Sequence, residues 1–416
     1  MQKWLIWAAC LVLAIVAGMA SLANSAQRHA PATAVRVPFH GGNAKSAHAN
    51  AIIRRNVINS KGLLPKELPQ TAVVEAREAF LMEPTDAYAI AVLGLDAASR
   101  GRTEAARKIF EADLRLGRRT LISPAWLADD AARQNDVRAT LRYFDLILRR
   151  QNAASATVLA QLVQVLHQDA AVPLVVRMLR TPSPWHPQFW EAGSDDPKAI
   201  ENTAKVRQRL AKFDYRNEPG LDAVLLSRLV MASKYDQAEY LYRSLRPKLA
   251  GGSKRGASGT SYSFDKTSEI EPYFWVIPDE RGDLGGYLNA ESKTLDISML
   301  GGISGLVARR LASVPSGTYV IRLIPAEAPV DAKGVTVRVK LACATNPRAS
   351  GTAVFKLGSG SLTSVPITIP PGECRHFWLE LSVANDGLNG LDLSLKRIDL
   401  VRASTATAVS PNNSGR

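Results

Sequence analysis

The sequence has few of the residues and none of the short motifs on which most enzymes depend. It has three cysteines in 416 residues, and its six histidines are scattered along the chain. It contains no metalloprotease helix motif, no phosphate-binding loop and no nucleophile elbow. No histidine or carboxylate is spaced in the sequence to complete a metal site. We therefore predict a non-enzymatic protein that uses neither a metal nor a cofactor.

One acidic stretch provides the alternative to this prediction. Asp279, Glu280 and Asp283 follow Trp275 closely in the sequence, and they could act as paired carboxylates or hold calcium. An enzyme that acts on cell-wall or surface glycans through this loop is the corresponding hypothesis. We favour an ordinary surface loop, because acidic residues are common in such loops without any chemistry.

The longest stretch without charge lies at the N-terminus. No residue from Trp4 to Gln27 is charged, and about 20 apolar residues are enough for a helix that crosses a bilayer. The run is longer than the apolar core of a typical cleaved signal peptide, so we favour an uncleaved inner-membrane anchor. Small residues at Ser21-Leu22-Ala23 and Asn24-Ser25-Ala26 keep a cleaved, exported form as the alternative. With Lys3 cytoplasmic, the rest of the chain would be periplasmic.

The charge of the chain is strongly one-sided. Lysine and arginine number 52 against 38 aspartate and glutamate residues, which gives a net charge of +14 and an isoelectric point near 9.8. Such a chain is attracted to anionic lipid head groups and to acidic polysaccharide. Nucleic acid would also fit the charge. Because the chain has an export signal and no nucleic-acid motif, we predict no nucleic-acid partner.

A period of 34 residues, from Leu93 to Leu127, runs through the first half of the chain. The positions that repeat at this step are Leu93-Gly94 with Leu127-Ala128, Ala105 with Ala139, and Phe110 with Phe144. Small residues such as Gly94 let neighbouring helices approach closely, and the apolar stripe of one helix pair needs a second pair to cover it. Turns are predicted at Gly101-Arg102 and Asn135-Asp136.

This pattern resembles the tetratricopeptide repeat. The positions that carry the resemblance further are Ala72, Ala76, Ala79 and Pro84 upstream, and residues 234–242 with Leu245 and Pro247 downstream. Residues 152–222 are helical in pattern but off register. The resemblance implies a solenoid of helix pairs over residues 63–249, with a concave surface that binds other proteins. An unrelated helical bundle with a chance period is the alternative.

The pattern changes from helix to strand after a glycine-rich linker at 250–261. Alternate residues are apolar from Val335 to Cys343 and from Phe377 to Val383, as expected for half-buried antiparallel strands. About seven short strands within 262–403 predict a β-sandwich. Together with Phe274-Trp275 and Gly317-Thr318-Tyr319, the strand order resembles the galactose-binding-like jelly roll of carbohydrate-binding modules, which implies sugar binding.

Five residues of the sandwich are candidates for glycan binding. Tyr273, Trp275 and Tyr287 could stack on a pyranose ring, and the alternative is that they pack in the core or at a sheet edge. Arg309 and Arg310 could contact an acidic glycan, and the alternative is a solvated strand edge.

Two of the three cysteines lie in the predicted sandwich. Cys343 ends one strand and Cys374 precedes another. An oxidising compartment favours a disulfide between them, and two buried free thiols are the alternative. Cys10 lies inside the N-terminal apolar run, with too short an apolar stretch before it for lipid attachment.

Together these patterns predict a multidomain α plus β fold with an N-terminal membrane helix, an α-solenoid and a C-terminal antiparallel β-sandwich of the jelly-roll type. The predicted segments are a signal anchor or signal peptide (1–27), a flexible tether (28–62), helical repeats (63–249), a linker (250–261), the sandwich (262–403) and a disordered tail (404–416). We expect a periplasmic scaffold that binds protein partners in the assembly or export of a surface polysaccharide. The alternative is an envelope or secreted carbohydrate-binding module, with the solenoid as a spacer.

Overall fold

A computed structural model describes most of the chain. The described residues are 2–27, 29–38, 40–59, 67–116, 120–150, 155–213, 219–245, 259–265, 270–278, 283–327, 334–346, 349–357, 362, 366–372 and 374–403. Most of the predicted linker, the predicted tail, Pro247, Asp279 and Glu280 lie outside these residues.

Helices come first along the chain and antiparallel strands follow. The helices are α1 (Gln2–Ala26), α2 (Pro31–Ala34), α3 (Gly42–Asn59), α4 (Gln70–Met82), α5 (Ala87–Ser99), α6 (Thr103–Leu116), α7 (Ile122–Arg133), α8 (Val137–Leu148), α9 (Ser155–Val165), α10 (Val172–Leu179), α11 (His186–Asp195), α12 (Ile200–Ala211), α13 (Pro219–Met231) and α14 (Tyr235–Leu245). The strands are β1 (Gly259–Ser263), β2 (Leu284–Asn289), β3 (Thr294–Met299), β4 (Ser304–Ser313), β5 (Gly317–Pro325), β6 (Val335–Cys343), β7 (Ser350–Lys356), β8 (Ile367–Ile369), β9 (His376–Asn385) and β10 (Leu391–Arg402).

Three helix pairs are each closed by the same type of turn. The pairs α5–α6, α7–α8 and α13–α14 each have a single left-handed residue midway between their helices: Gly101 (φ 73°), Asn135 (φ 57°) and Ser233 (φ 60°). In each turn the next N–H donates to a carbonyl five residues earlier: Arg102 to Ala97, Asp136 to Ala131 and Lys234 to Leu229, all at 2.9 Å. This is the Schellman arrangement, which satisfies carbonyls at the end of the first helix. The turns predicted at Gly101-Arg102 and Asn135-Asp136 are thus confirmed.

The close approach expected at Gly94 is also present. A Cβ atom added at Gly94 would lie 2.5 Å from the ring of Phe110 on α6, so only glycine fits against this ring. Phe110 in turn packs on Trp126 of α7, with ring centroids 4.9 Å apart. The small residue and the aromatic residue of the predicted pattern therefore form one contact between paired helices.

The segment predicted to be a flexible tether, residues 28–62, contains helices α2 and α3. On α3, the side chains of Ala49 and Ile53 are buried in the same cluster as Ala72 and Ala76 of α4. An ion pair between Lys45 and Glu78 joins the two helices as well. Proline and glycine content suggested a tether, but the apolar spacing of four residues on α3 provides a face that α4 covers.

The N-terminal helix α1 spans Gln2–Ala26. Within the described residues, no single helix is both long and apolar enough to cross a membrane. One bent pair of helices, Ala156–Val165 with Asp169–Leu179, has the combined length and apolar composition of a membrane span. The anchor remains a prediction from the sequence.

The strands form two antiparallel sheets. One has the order β2-β3-β10-β5-β8, with β1 also pairing with β10, and the other has the order β4-β9-β6-β7. The apolar residues that alternate from Val335 to Leu341 on β6 point into the same core as Leu295 and Ile297 on β3. Two sheets that share one core form a sandwich. Cys343 and Cys374 are joined by a disulfide with their Cα atoms 5.9 Å apart, which confirms the predicted bond.

The chain divides into two compact units, and the division differs from the predicted domain boundary. One unit comprises residues 1–162 and 183–185, and the other comprises residues 163–182 and 186–416. Helices α10 to α14 therefore belong with the sandwich. The reason is packing: apolar side chains of α13 and α14, such as Leu229 and Leu241, share a core with Tyr273 and Leu311 of the strand region.

Candidate functional site

Two of the predicted glycan-binding aromatics are buried, which corrects their proposed role. Trp275 is 0% exposed and Tyr273 is 4% exposed. The Trp275 ring stacks on Phe264 at 4.8 Å, and its Nε1 donates a hydrogen bond to the Ser263 carbonyl at 3.0 Å. Neither ring has a face open to a sugar, so the alternative of core packing applies to both.

The two predicted arginines differ from one another. Arg310 is buried, with its guanidinium carbon 4.6 Å from the Tyr262 ring and 5.5 Å from the Trp275 ring. It is an internal cation among aromatic rings, and the prediction that it contacts an acidic glycan is corrected. Arg309, the preceding residue on β4, is exposed and lies 5.1 Å from the Trp378 ring. Only Arg309 of the pair can meet a ligand from solvent.

Tyr287 is the predicted aromatic that the structure leaves accessible, at 56% exposure. It lies opposite Asp296 across the β2–β3 pair. Burial acts to raise the pKa of Asp296, but hydrogen bonds from Ser394, Thr294, Asn289 and Tyr287 together hold it below its ordinary value. The hydrogen bond between Tyr287 and Asp296 raises the pKa of the Tyr287 hydroxyl. An accessible aromatic ring beside fixed polar side chains is therefore present on the outer face of this sheet.

A second polar arrangement lies within the larger unit, where α14 packs against the sandwich. Tyr242 of α14 stacks on Tyr273 with ring centroids 4.3 Å apart, and this burial raises the pKa of the Tyr273 hydroxyl. Tyr235 stacks over the His376 ring at 5.8 Å and donates a hydrogen bond to the Ala344 carbonyl at 3.1 Å. These contacts fix the helix on the start of β9.

Three ionisable side chains converge beside these tyrosines. Asp236 and Glu239 are three residues apart on α14 and so share one face of the helix, while His376 begins β9. The Nε2 atom of His376 lies 3.1 Å from Asp236 Oδ1, and its Nδ1 atom lies 3.9 Å from Glu239 Oε2. One ligand atom from each residue lies within 4.8 Å of the others. We call these three residues the junction cluster.

Two arginines balance the charge of the junction cluster. Arg243 forms an ion pair with Glu239 Oε1. The Arg375 guanidinium lies 3.6 Å from Asp236 Oδ1 and 3.7 Å from Glu239 Oε2, which is beyond hydrogen-bond length. A group of carboxylates, imidazole and guanidinium can hold a cation or relay a proton, and here the arginines oppose an additional positive charge.

A groove of about 440 Å³ is lined by Asp236 and Glu239, the two carboxylates of the junction cluster. Its lining comprises Glu201, Ala204, Lys205, Gln208, Asp236, Gln237, Glu239, Tyr240, Leu241, Arg243 and Arg375. Both signs of charge face this groove, and the exposed ring of Tyr240 stands beside them. The groove gives solvent and small solutes access to Asp236 and Glu239.

The junction cluster was not predicted from the sequence. Asp236 and His376 are 140 residues apart in the chain, so no local spacing relates them. The one visible signal was the spacing of Asp236 and Glu239 on a predicted helix, which is common on solvated helix faces.

No family model matches the sequence, and no curated protein matches it significantly. The architecture of helices followed by antiparallel sheets agrees with both predicted resemblances at a coarse level.

Proposed function

We propose that the protein is a non-enzymatic scaffold that binds protein partners through its helix pairs. In this proposal its N-terminal helix holds it in the inner membrane, and it acts in the assembly or export of a surface polysaccharide. The membrane and the polysaccharide rest on the sequence, namely the uncharged N-terminal run, the basic charge and the strand pattern. Partner binding rests on a surface feature of α4.

Partner binding is supported by a group of exposed apolar side chains on α4 and at the start of α5. We define the α4 surface as the large apolar side chains that are exposed along α4 and at the start of α5: Val74, Phe80, Leu81, Met82 and Tyr88. Leu81 is the most exposed of them, at 75%.

The opposite face of α4 is occupied by its own neighbours. Ala72, Val73, Ala76 and Ala79 are all buried, whereas the exposed side of α4 carries large apolar side chains together with the charged Arg77 and Glu78. Contiguous exposed apolar side chains on a folded protein mark interaction sites. A shallow pocket of about 290 Å³ beside Val74 extends this surface along the helix.

Site-specific crosslinking in intact cells tests this proposal. A photoreactive residue at Leu81 should capture one or a few defined proteins, and the same residue at Arg115 on α6, which is also well exposed, should not. Leu81→Asp should abolish the specific adduct formed from a second reactive position at Tyr88. Equal capture from Leu81 and Arg115, or capture that Leu81→Asp does not change, would contradict partner binding at this surface.

A second function, carbohydrate binding, is favoured by the polar patch around Tyr287. Aromatic rings stack on sugar faces, and fixed polar groups beside them select hydroxyls. Tyr287 has Asn289 and Asp296 within reach on its own face of the sheet, and Asn289 Nδ2 donates to Asp296 Oδ2 at 3.0 Å.

Direct binding of polysaccharides to the purified protein tests this second function. Tyr287→Ala should weaken binding at every salt concentration, because stacking is not screened, whereas Arg309→Ala should matter less as salt rises. Tyr240→Ala is the matched control, since Tyr240 is an equally exposed tyrosine on a helix. A loss of binding in the control variant alone would contradict a site at Tyr287.

A further inference from the structure

We propose that Asp236, Glu239 and His376 form a binding site for a divalent transition-metal cation, with zinc as its best representative. Zinc accepts histidine nitrogen and carboxylate oxygen as ligands, in a tetrahedral arrangement that admits water as a fourth ligand. Magnesium and calcium prefer oxygen ligands alone. One imidazole with two carboxylates therefore favours zinc over both of these ions.

The separations within the junction cluster suit this assignment. Metal-ligand distances of about 2.0–2.1 Å place two ligands of a tetrahedral zinc ion roughly 3.3 Å apart. The distance from His376 Nε2 to Asp236 Oδ1 is 3.1 Å, and all three ligand atoms lie within 4.8 Å of one another. Small rotations of the Glu239 and Asp236 side chains would complete the arrangement.

The environment of His376 independently supports a metal site. This residue is 5% exposed, and its Nδ1 atom has no hydrogen-bond partner among the described residues. Buried polar atoms are nearly always hydrogen-bonded. The ring faces Asp236 Oδ1 through Nε2 and Glu239 Oε2 through Nδ1, so a buried nitrogen without a hydrogen bond lies beside two carboxylates.

The arginines set the strength of the site rather than exclude it. Arg243 engages only Oε1 of Glu239, so Oε2 remains within the cluster. Arg375 faces the two oxygens that the metal would need, but at 3.6 and 3.7 Å and from a side chain that is 64% exposed. It can turn into solvent. Metal and Arg375 thus compete for the same oxygens, which makes the site weaker than a structural zinc site and readily exchangeable.

A metal bound here would join α14 to β9. Two ligands lie on the helix and one lies on the strand, so binding would tie the last helix pair to the sandwich within the same compact unit. The groove beside Asp236 and Glu239 provides access for the ion and space for a water ligand.

Titration of zinc into the full-length protein, freed of metal by a chelator, tests the proposal. We expect one equivalent to bind, followed by calorimetry, with no comparable binding of magnesium or calcium. Asp236→Asn should weaken binding at least tenfold, and because this side chain is 80% exposed the variant should keep its fold. Glu239→Gln should have a similar effect. His167→Gln is the matched control, because His167 pairs with Asp196 at 3.0 Å near the surface and no third ligand lies beside them among the described residues.

A variant of Arg375 gives the opposite effect. Arg375→Gln should tighten zinc binding about tenfold, because it removes a positive charge that faces the same oxygens. The proposal is overturned if neither the natural protein nor Arg375→Gln takes up zinc. It is equally overturned if Asp236→Asn and Glu239→Gln bind zinc as the unaltered protein does, since uptake would then occur at other histidines.

Discussion

The helix pairs α7–α8 and α13–α14 have the same turn but different neighbours. In each, the chain reverses at a left-handed residue, and the N–H of the next residue donates to a carbonyl five residues earlier. The faces of α7–α8 are covered by helices that lie nearby in the sequence. Those of α13–α14 are covered by Ile200 and Ala204 of the preceding helix α12 and, in addition, by Tyr273 and Leu311 of the strand region. Local sequence therefore determines the turn, whereas the choice of neighbour depends on residues far along the chain.

This difference separates what a short pattern specifies from what the whole chain specifies. Substitutions in long-range packing should have the largest effects, because each buried side chain there contacts several distant elements. Substitutions within a helix pair should have intermediate effects, and single polar contacts should have the smallest.

The largest effect is expected for Trp275→Ala. Trp275 is fully buried in the sandwich core beside Phe264 and Arg310, and truncation of a buried tryptophan costs about 3–5 kcal/mol. Chemical denaturation should show this loss in the sandwich transition. Tyr287→Ala, on the outer face of a sheet in the same unit, is the control and should cost less than about 1 kcal/mol. Similar losses from both would mean that Trp275 is not a core residue.

Removal of the disulfide is expected to have the next largest effect. Cys343 and Cys374 are 31 residues apart, and a crosslink that closes a loop of this length contributes about 3.7 kcal/mol in the chain-entropy model. The double variant Cys343→Ser, Cys374→Ser should unfold at correspondingly lower denaturant. Alkylation of the denatured, non-reduced natural protein should label neither cysteine. Full labelling of both would contradict the bond.

Gly94→Leu tests packing inside a single helix pair. A side chain at this position meets the Phe110 ring at once, and overpacking of this kind costs about 1–3 kcal/mol. Lys108→Leu, on the exposed side of α6, should change the free energy of unfolding by less than about 0.5 kcal/mol. If both variants were equally stable, the helical register derived from the 34-residue period would be wrong.

The helix pairs could be predicted from the 34-residue period because the contacts behind that period are local. Gly94, Phe110 and the left-handed turn at Gly101 all lie within one helix pair, so their spacing indicates their contacts. The disulfide could also be predicted, since only two cysteines lie in the strand region and an oxidising compartment, as predicted from the N-terminal run, would favour their bond.

The structure differs from the assignments made from the sequence where one residue type occurs in two kinds of environment. Trp275 and Tyr273 belong to the types found both in sugar-binding surfaces and in cores, and strand alternation alone does not assign them to a face when the neighbouring helices add a second layer. Helix α3 was predicted as a tether because a short apolar stripe, Ala49 with Ile53, is a weak signal among polar residues. The junction cluster could not be predicted, because its members come from distant elements.

Tyr235→Phe tests the contact between α14 and the sandwich. It removes the hydroxyl that donates to the Ala344 carbonyl at 3.1 Å while it keeps the ring stacked on His376. We expect a loss of about 1 kcal/mol, which is typical of one hydrogen bond. Tyr240→Phe, which removes an exposed hydroxyl from the same helix, should have no measurable effect. Equal losses would mean that the hydroxyl contact does not join the helix to the sandwich.

The smallest effect should be the pH dependence contributed by Asp296 on the sheet face. Its hydrogen bonds hold its pKa in the folded protein below the ordinary value of 3.8. The contribution of Asp296 to stability is therefore fully present above about pH 4 and is lost as the pH falls through the depressed pKa. Asp296→Asn should remove this part of the acid dependence, so the natural protein should be the more stable of the two near pH 7 and the difference should shrink as the pH falls below about 4. Asp399→Asn, on the same sheet, is the control. Because the bonds to Asp296 come from β2, β3 and β10, a flat difference between the natural protein and Asp296→Asn from pH 6 to pH 2 would show that these strands are not coupled through the carboxylate.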